Sequence, residues 1–217
     1  MSYDICLFDL DGTLLDPKEG ITNSFQYALR SFGIHEETDN LTPFIGPPLR
    51  ESFRDSYGFS KEEQEKAVES YREYFIEYGL YQNIVYEGIP ELLAKLKDKK
   101  KILAVATSKL EVYAQRILKH FGIDDYFSFV AGDTMDGSRT AYGKRDVILR
   151  ALMNIDPKRE NSIVMIGDRK HDIAGAKETE IDSIGILWGY GSKQELTTAG
   201  ADRLADSCET LYKLIIS

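Results

Sequence analysis

Apolar positions along the chain follow two rhythms. Short runs that are nearly all apolar occur at Asp4–Phe8 (DICLF), Lys101–Ala106 (KILAVA), Tyr126–Ala131 (YFSFVA), Ser162–Gly167 (SIVMIG) and Ser183–Trp188 (SIGILW). Their lack of polar alternation predicts five strands buried on both faces of a parallel sheet. Between them, apolar residues recur at helical spacing. Ile89, Leu92, Leu93 and Leu96 form one stripe; Val112, Ile117, Leu118 and Phe121 form a second; Val147, Ile148, Ala151 and Leu152 form a third. Strands alternating with helices predict right-handed crossovers and a doubly wound, Rossmann-like α/β core.

One interval breaks this rhythm. Between the first strand and Gly88 lie about seventy residues without a convincing strand, too long for an ordinary strand-to-helix connection. Two amphipathic helices are expected there, one through Ile21, Phe25, Ala28, Leu29 and Phe32, the other through Ala67, Val68, Tyr71, Phe75 and Tyr78. The stretch TPFIGPPL at Thr42–Leu49 reads as a Pro/Gly-marked connection between them. The expected organisation is therefore a core of residues 1–15 and 84–217, with an inserted helical domain over 16–83 placed at the end of the sheet.

The totals restrict function. In 217 residues, apolar types make up 42% and charged types 29%, as in ordinary globular chains. No apolar run approaches the roughly 20 residues that span a bilayer, and MSYDICLFDL lacks the form of a signal peptide. Only Cys6 and Cys208 are present, so a reducing cytoplasm is the expected setting. A net charge of −9 argues against nucleic-acid or acidic-membrane partners, although a small phosphorylated metabolite remains compatible with it. Oligomeric state is not legible.

Ligands of open α/β sheets bind beyond the carboxyl ends of the strands. The first predicted strand is followed by Asp9, Asp11, Gly12 and Thr13, and the second by Thr107, Ser108 and Lys109. Gly132-Asp133 follows the third, with Gly143-Lys144 some way on; Asp168 and Asp172 follow the fourth. Topology alone thus gathers four acids, a hydroxyl and a lysine at one edge. Asp9 and Asp11, at i and i+2, share a side of an extended chain and repel unless something neutralises them. With Asp168 and Asp172 nearby, a hard divalent cation fits better than a shared proton. Mg²⁺ is the natural choice beside phosphate, and the absence of a His/Cys cluster argues against Zn²⁺. A carboxylate can attack phosphorus while a second carboxyl moves protons. Thr107, Lys144 and backbone N–H groups freed by Gly12 could meet charge on the phosphoryl oxygens.

FDLDGTL, VATSK, GKRDVI and MIGDRKHDI, in that order and spacing, resemble the four signatures of the haloacid dehalogenase-like phosphatase superfamily. The resemblance covers essentially the whole chain, and the long insertion after the first motif resembles the cap of the subgroup containing phosphoglycolate phosphatases. IGPPL, the DGSR turn at Asp136–Arg139, WGYG at Trp188–Gly191 and GAD at Gly200–Asp202 are further matches. The resemblance implies Asp9 as nucleophile and Asp11 as general acid/base. It implies phosphate binding by Gly12, Thr107, Ser108 and Lys144, with Lys144 also stabilising the Asp9 carboxylate. Mg²⁺ would be held by Asp9, the Asp11 carbonyl and Asp168, with Asp172 in support through water or Lys144. An Asp at 11 and a Thr at 13 lean toward hydrolysis rather than dehalogenation or sugar-phosphate mutase chemistry. A mutase of the same fold and a non-catalytic phosphate-binding protein are the alternatives. The lengthened segment DGSRTAYGK displaces the lysine motif, so that Arg139 within it or Arg145 just after it competes with Lys144 for its role.

Plainer readings stand beside these. Thr107 and Ser108 could cap a helix, and Asp172 could favour a helix N-terminus through the dipole. His35, His120 and His171 lack ligand spacing and are expected at the surface. Tyr71, Tyr74, Tyr78 and Tyr81 are expected to pack, Arg50 to be solvated, and Lys97–Lys101 to form a solvated loop.

Overall fold

The computed structural model describes residues 2–47, 49–135, 137–140 and 143–217. The chain separates into two compact units, one made of Met1–Asp16 and Val85–Ser217 and the other of Pro17–Ile84. Among the described residues no helix is long and apolar enough to cross a membrane.

The larger unit is built on a six-stranded sheet. Its strands are β1 (Ile5–Phe8), β4 (Ile102–Leu110), β5 (Phe129–Asp133), β6 (Ile163–Gly167), β7 (Asp182–Ile186) and β8 (Arg203–Ala205), in the order β5-β4-β1-β6-β7-β8. All the pairings are parallel. β1 lies centrally, with Phe8 level with Val105 of β4 and Ile166 of β6. All four of its residues are fully buried, which is why its sequence shows no alternation. Two-residue strands β2 (Leu15–Asp16) and β3 (Ile84–Val85) flank the inserted stretch.

Helices α4 (Ile89–Asp98), α5 (Glu111–His120), α6 (Arg145–Ile155), α7 (Lys170–Glu178), α8 (Lys193–Ala199) and α9 (Cys208–Ile216) complete this unit. The apolar stripe of α6 (Val147, Ile148, Ala151, Leu152) packs against Ile5 and Leu7 of β1, Ala104 and Ala106 of β4, and Ala131 of β5. That burial, at about 25 cal/mol per Å² of apolar surface, fixes where the preceding Lys144 stands relative to the sheet.

Several expectations need correction, among them the fifth strand, which runs over Asp182–Ile186 rather than to Trp188. The third strand starts at Phe129 rather than Tyr126, because Asp124–Tyr126 closes a 3₁₀ turn that takes Tyr126 out of the ladder. β4 continues past Ala106 to Leu110. A sixth strand, β8, was not expected; three residues beginning with Arg203 are too few to show a period, yet they pair with Ile184–Ile186 at the sheet's edge.

The second unit holds α1 (Lys18–Arg30), α2 (Leu49–Tyr57) and α3 (Lys61–Glu77), with 3₁₀ turns at Thr38–Phe44 and Gly79–Tyr81. Only two helices were expected. α2 escaped because it buries just Ser52 and Phe53, too little to mark a stripe. Pro48, in the IGPPL stretch, lies outside the described residues. Phe25 centres this unit's core, fully buried with ring centroids 5.1 Å from Phe44, 5.0 Å from Phe53 and 5.1 Å from Tyr71. α3 starts in a capping box, with Ser60 and Glu63 each accepting from the other's backbone N–H. Tyr71 packs, Tyr78 and Tyr81 are exposed, and Arg50 forms a two-pronged ion pair with Glu65.

Candidate active site

Where β1 ends, the chain turns sharply. Asp9 N–H still donates to Ile166 O at 2.9 Å, extending the pairing with β6 by one residue. Leu14 and Leu15 N–H then both return to Leu10 O, and Gly12 N–H donates to Leu15 O at 2.7 Å. Gly12 sits at φ +80°, and a Cβ there would lie 2.3 Å from Asp168 Oδ2. The turn therefore needs glycine for both conformation and space. Fully buried Thr13 donates to Asp168 Oδ1 at 3.4 Å, and Trp188 Nε1–H donates to Thr13 O at 3.1 Å.

Asp168 directly follows β6 and is 1% exposed. Its Oδ2 accepts from Tyr190 N–H at 2.8 Å, within the loop Trp188–Gly191. A Cβ at Gly191 would stand 1.8 Å from Asp168 O, so this loop can approach only as glycine. Tyr190 Oη donates to Asp16, which fixes the loop's other end. In the first turn of α7, buried Asp172 accepts from Arg169 N–H at 3.0 Å and from the Lys144 ammonium. Carboxylate oxygens of Asp9, Asp168 and Asp172 lie within 4.8 Å of one another, all in buried residues.

Lys144, immediately before α6, supplies a counter-charge. It is 3% exposed and places Nζ 2.7 Å from Asp9 Oδ1 as well as against Asp172. Burial alone would lower the Lys144 pKa, but Asp172 and Asp9 together outweigh it and raise it. On the acids the balance runs the other way. Burial, with Asp172 and Asp9 as further causes, pushes Asp168 up to about 7; burial pushes Asp172 up to about 6 against the pull of Lys144.

Asp11 stands apart from this trio. Its Oδ2 lies 2.5 Å from Lys109 Nζ. Asp11 Oδ1 is buried and makes no hydrogen bond. Four carboxylates thus face two ammonium groups, burial raises the pKa of two of the acids, and one buried oxygen, Asp11 Oδ1, is unsatisfied. The donor set is entirely hard oxygen, which fits an oxygen-preferring divalent cation and gives Zn²⁺ no nitrogen or sulfur.

The remaining candidates fall around this group. Thr107 is 2% exposed at the carboxyl end of β4, its Oγ1 accepting from Lys109 N–H at 3.2 Å, whereas Ser108 is exposed. The rivals for the lysine role point elsewhere: Arg139 to Glu111 at 3.2 Å and to Gly132 O, and Arg145 to Asp146 at 3.0 Å on the surface. Asp136, Ala141 and Tyr142 of the DGSRTAYGK segment lie outside the described residues. His35, His120 and His171 are exposed. Sequence reading named Lys109 but gave it no partner, since contact with Asp11 is made across 98 residues. It also assigned no contacts to Trp188 and Tyr190; the glycines alternating with them were the available signal of a close backbone approach.

Comparison with known proteins places this arrangement in context. Residues 6–186 match the haloacid dehalogenase-like hydrolase family. A 5'-nucleotidase from Pseudomonas aeruginosa is 44% identical over 197 residues, covering 90% of this chain and 88% of that protein. Tyrosine-protein kinase PtkA from Mycobacterium tuberculosis is 44% identical over 191 residues, covering 88% of this chain but 64% of the longer relative. A solved Clostridium difficile structure is 47% identical with a TM-score of 0.93, each chain covered completely. With its parallel α/β sheet and acidic cluster, the chain belongs to the haloacid dehalogenase-like hydrolase family and is one of its phosphatases.

Proposed function

We propose that this phosphatase hydrolyses small phosphate monoesters with Mg²⁺, through an aspartyl phosphate on Asp9. The observation that carries the reading is the buried Asp9 carboxylate at the end of β1, with Oδ1 2.7 Å from the Lys144 ammonium and the Asp168 and Asp172 carboxylates beside it. A carboxylate nucleophile must be held in place for attack, and the Lys144 ammonium orients it. In the first step Asp9 bonds to phosphorus as the bond to the ester oxygen breaks, and Asp11 gives its proton to the departing alkoxide. In the second, Asp11 takes a proton from water, whose oxygen bonds to phosphorus. The phosphorus–Asp9 bond then breaks and releases phosphate. Thr107 and backbone N–H groups beside Gly12, whose own N–H is taken by Leu15 O rather than freed, would hold the phosphoryl oxygens, with exposed Ser108 at the rim. Lys144 would offset charge on Asp9 and on the phosphoryl group. Mg²⁺ would be held by Asp9, the Asp11 carbonyl and Asp168, with Asp172 supporting through Lys144 or water; when bound, it neutralises charge on the transferring group.

Pro17–Ile84 is read as the cap that selects the leaving group. Phosphoglycolate and nucleoside 5′-monophosphates are the candidate substrates, and likeness to a named 5'-nucleotidase moves the second forward. Two unpaired cysteines, one of them buried, support a cytoplasmic setting.

The test is phosphate release from a panel of phosphoglycolate, nucleoside 5′-monophosphates, sugar phosphates and p-nitrophenyl phosphate, with Mg²⁺ and with chelator. Release that needs the metal and disappears in Asp9→Asn supports the reading. Release unchanged in Asp9→Asn overturns it. A second reading, transfer to an acceptor other than water, is favoured by the 44% identity to a protein named a tyrosine kinase. Consumption of phosphate donor without free phosphate would select it.

A further inference from the structure

We propose that Lys109 is a positioning residue that fixes the proton-carrying carboxyl of Asp11; the assignment rests on the hydrolase reading above. Three observations outside the Asp9–Lys144 cluster support it.

The first is a built irregularity in β4. Ala106 pairs with Ala131 and Leu110 with Asp133, so four steps along β4 match two along β5. The surplus falls at Thr107, Ser108 and Lys109. Bulges of this kind re-aim side chains and recur beside active sites. Here the Thr107 hydroxyl accepts from Lys109 N–H at 3.2 Å and braces the bulge from within. Gly132 makes room for it, since a Cβ there would lie 2.6 Å from both Lys109 O and Glu111 N.

The second observation is where the bulge sends Lys109. Its side chain is 9% exposed, and its ammonium lies 2.5 Å from Asp11 Oδ2. A lysine on a regular strand end would carry its charge to water; burying it against one carboxylate oxygen needs the surrounding backbone to be shaped for it.

The third is the oxygen left over. Asp11 Oδ1 is buried with no hydrogen bond, while Oδ2 is held by Lys109. One oxygen anchors the group and the other is presented. An acid/base carboxyl works only when its proton-bearing oxygen is within reach of the departing one, so misplacement reduces the chemical step far more than substrate binding. Lys109 therefore acts on the reaction through Asp11.

Dependence on the leaving group isolates this role. Phenyl phosphate expels a poorer leaving group than p-nitrophenyl phosphate and relies more on protonation. Lys109→Met is expected to lower kcat about ten-fold more on phenyl phosphate than on p-nitrophenyl phosphate. KM should change little, and Lys109→Arg should recover most of the loss. The double variant Lys109→Met, Asp11→Asn should be no slower than Asp11→Asn alone, because both remove one function. Equal losses on the two esters, or losses that multiply in the double variant, overturn the assignment and leave the hydrolase reading standing. Wild-type protein inert toward both esters overturns both. If Lys109→Met fails to fold, Lys109→Gln carries the same comparison.

Discussion

Gly12 and Asp168 stand so close that a single methyl group on the glycine would lie 2.3 Å from the aspartate's Oδ2. The acidic turn after β1 and the acid after β6 are thus shaped against each other through an absent side chain. Gly12→Ala must both adopt φ +80° and push Asp168 aside. The backbone term alone costs about 1–2 kcal/mol. We expect folded protein, by circular dichroism, with kcat/KM on p-nitrophenyl phosphate reduced more than ten-fold.

Lys144→Met removes the ammonium shared by Asp9 and Asp172 while keeping the stem. Breaking a buried pair by deleting one partner typically costs about 3–5 kcal/mol, because the other charge stays buried. Urea unfolding at neutral pH should show a loss of that order. The loss should shrink on acidification, since protonation relieves the stranded carboxylates.

Asp168 and Asp172 make a directional prediction about pH. Burial raises them from 3.8 to about 7 and about 6, so the folded state holds protons that the unfolded state has released. Without metal, the stability they contribute is full below pH ~4 and falls as pH rises toward ~7. Mg²⁺ competes with those protons. Thermal unfolding with and without Mg²⁺ should therefore show a larger rise in Tm near pH 8 than near pH 5. An equal rise at both would count against these acids as the cation's ligands.

Phe25→Ala tests the inserted unit. The ring is fully buried against Phe44, Phe53 and Tyr71, so truncation should cost about 3–5 kcal/mol. Hydrogen exchange should rise first at amides within Pro17–Ile84.

The core was legible because its strands are buried on both faces, and unbroken apolar runs such as Ile163–Gly167 admit few other readings. The gathering of Asp9, Asp168 and Asp172 was legible too, since parallel topology sends every strand's carboxyl end to one edge. What escaped depended on contacts distant in sequence. α2 has too little buried surface to impose a period, and β8 is defined by its neighbour β7 rather than by its own three residues. Lys109 illustrates the limit best. Its identity and its place after a strand were plain, but its direction comes from a two-residue surplus against β5, and that mismatch exists only once the strands are paired.

The central position of β1 has a consequence for how the chain is made. Ile5–Phe8 is made before every other strand of the sheet, yet its partners are Ile102–Val105 on one side and Ile163–Ile166 on the other. Until Ile102–Val105 is made, this wholly apolar segment has no edge to join. The helices of Pro17–Ile84, whose core is made of near neighbours in sequence, can condense long before. Nascent chains truncated before β4 would hold a finished helical unit and an unpaired strand, the kind of species that holding chaperones bind. The same pairing that buries Asp9 at the centre of the sheet thus makes the sheet the last part of the molecule to close.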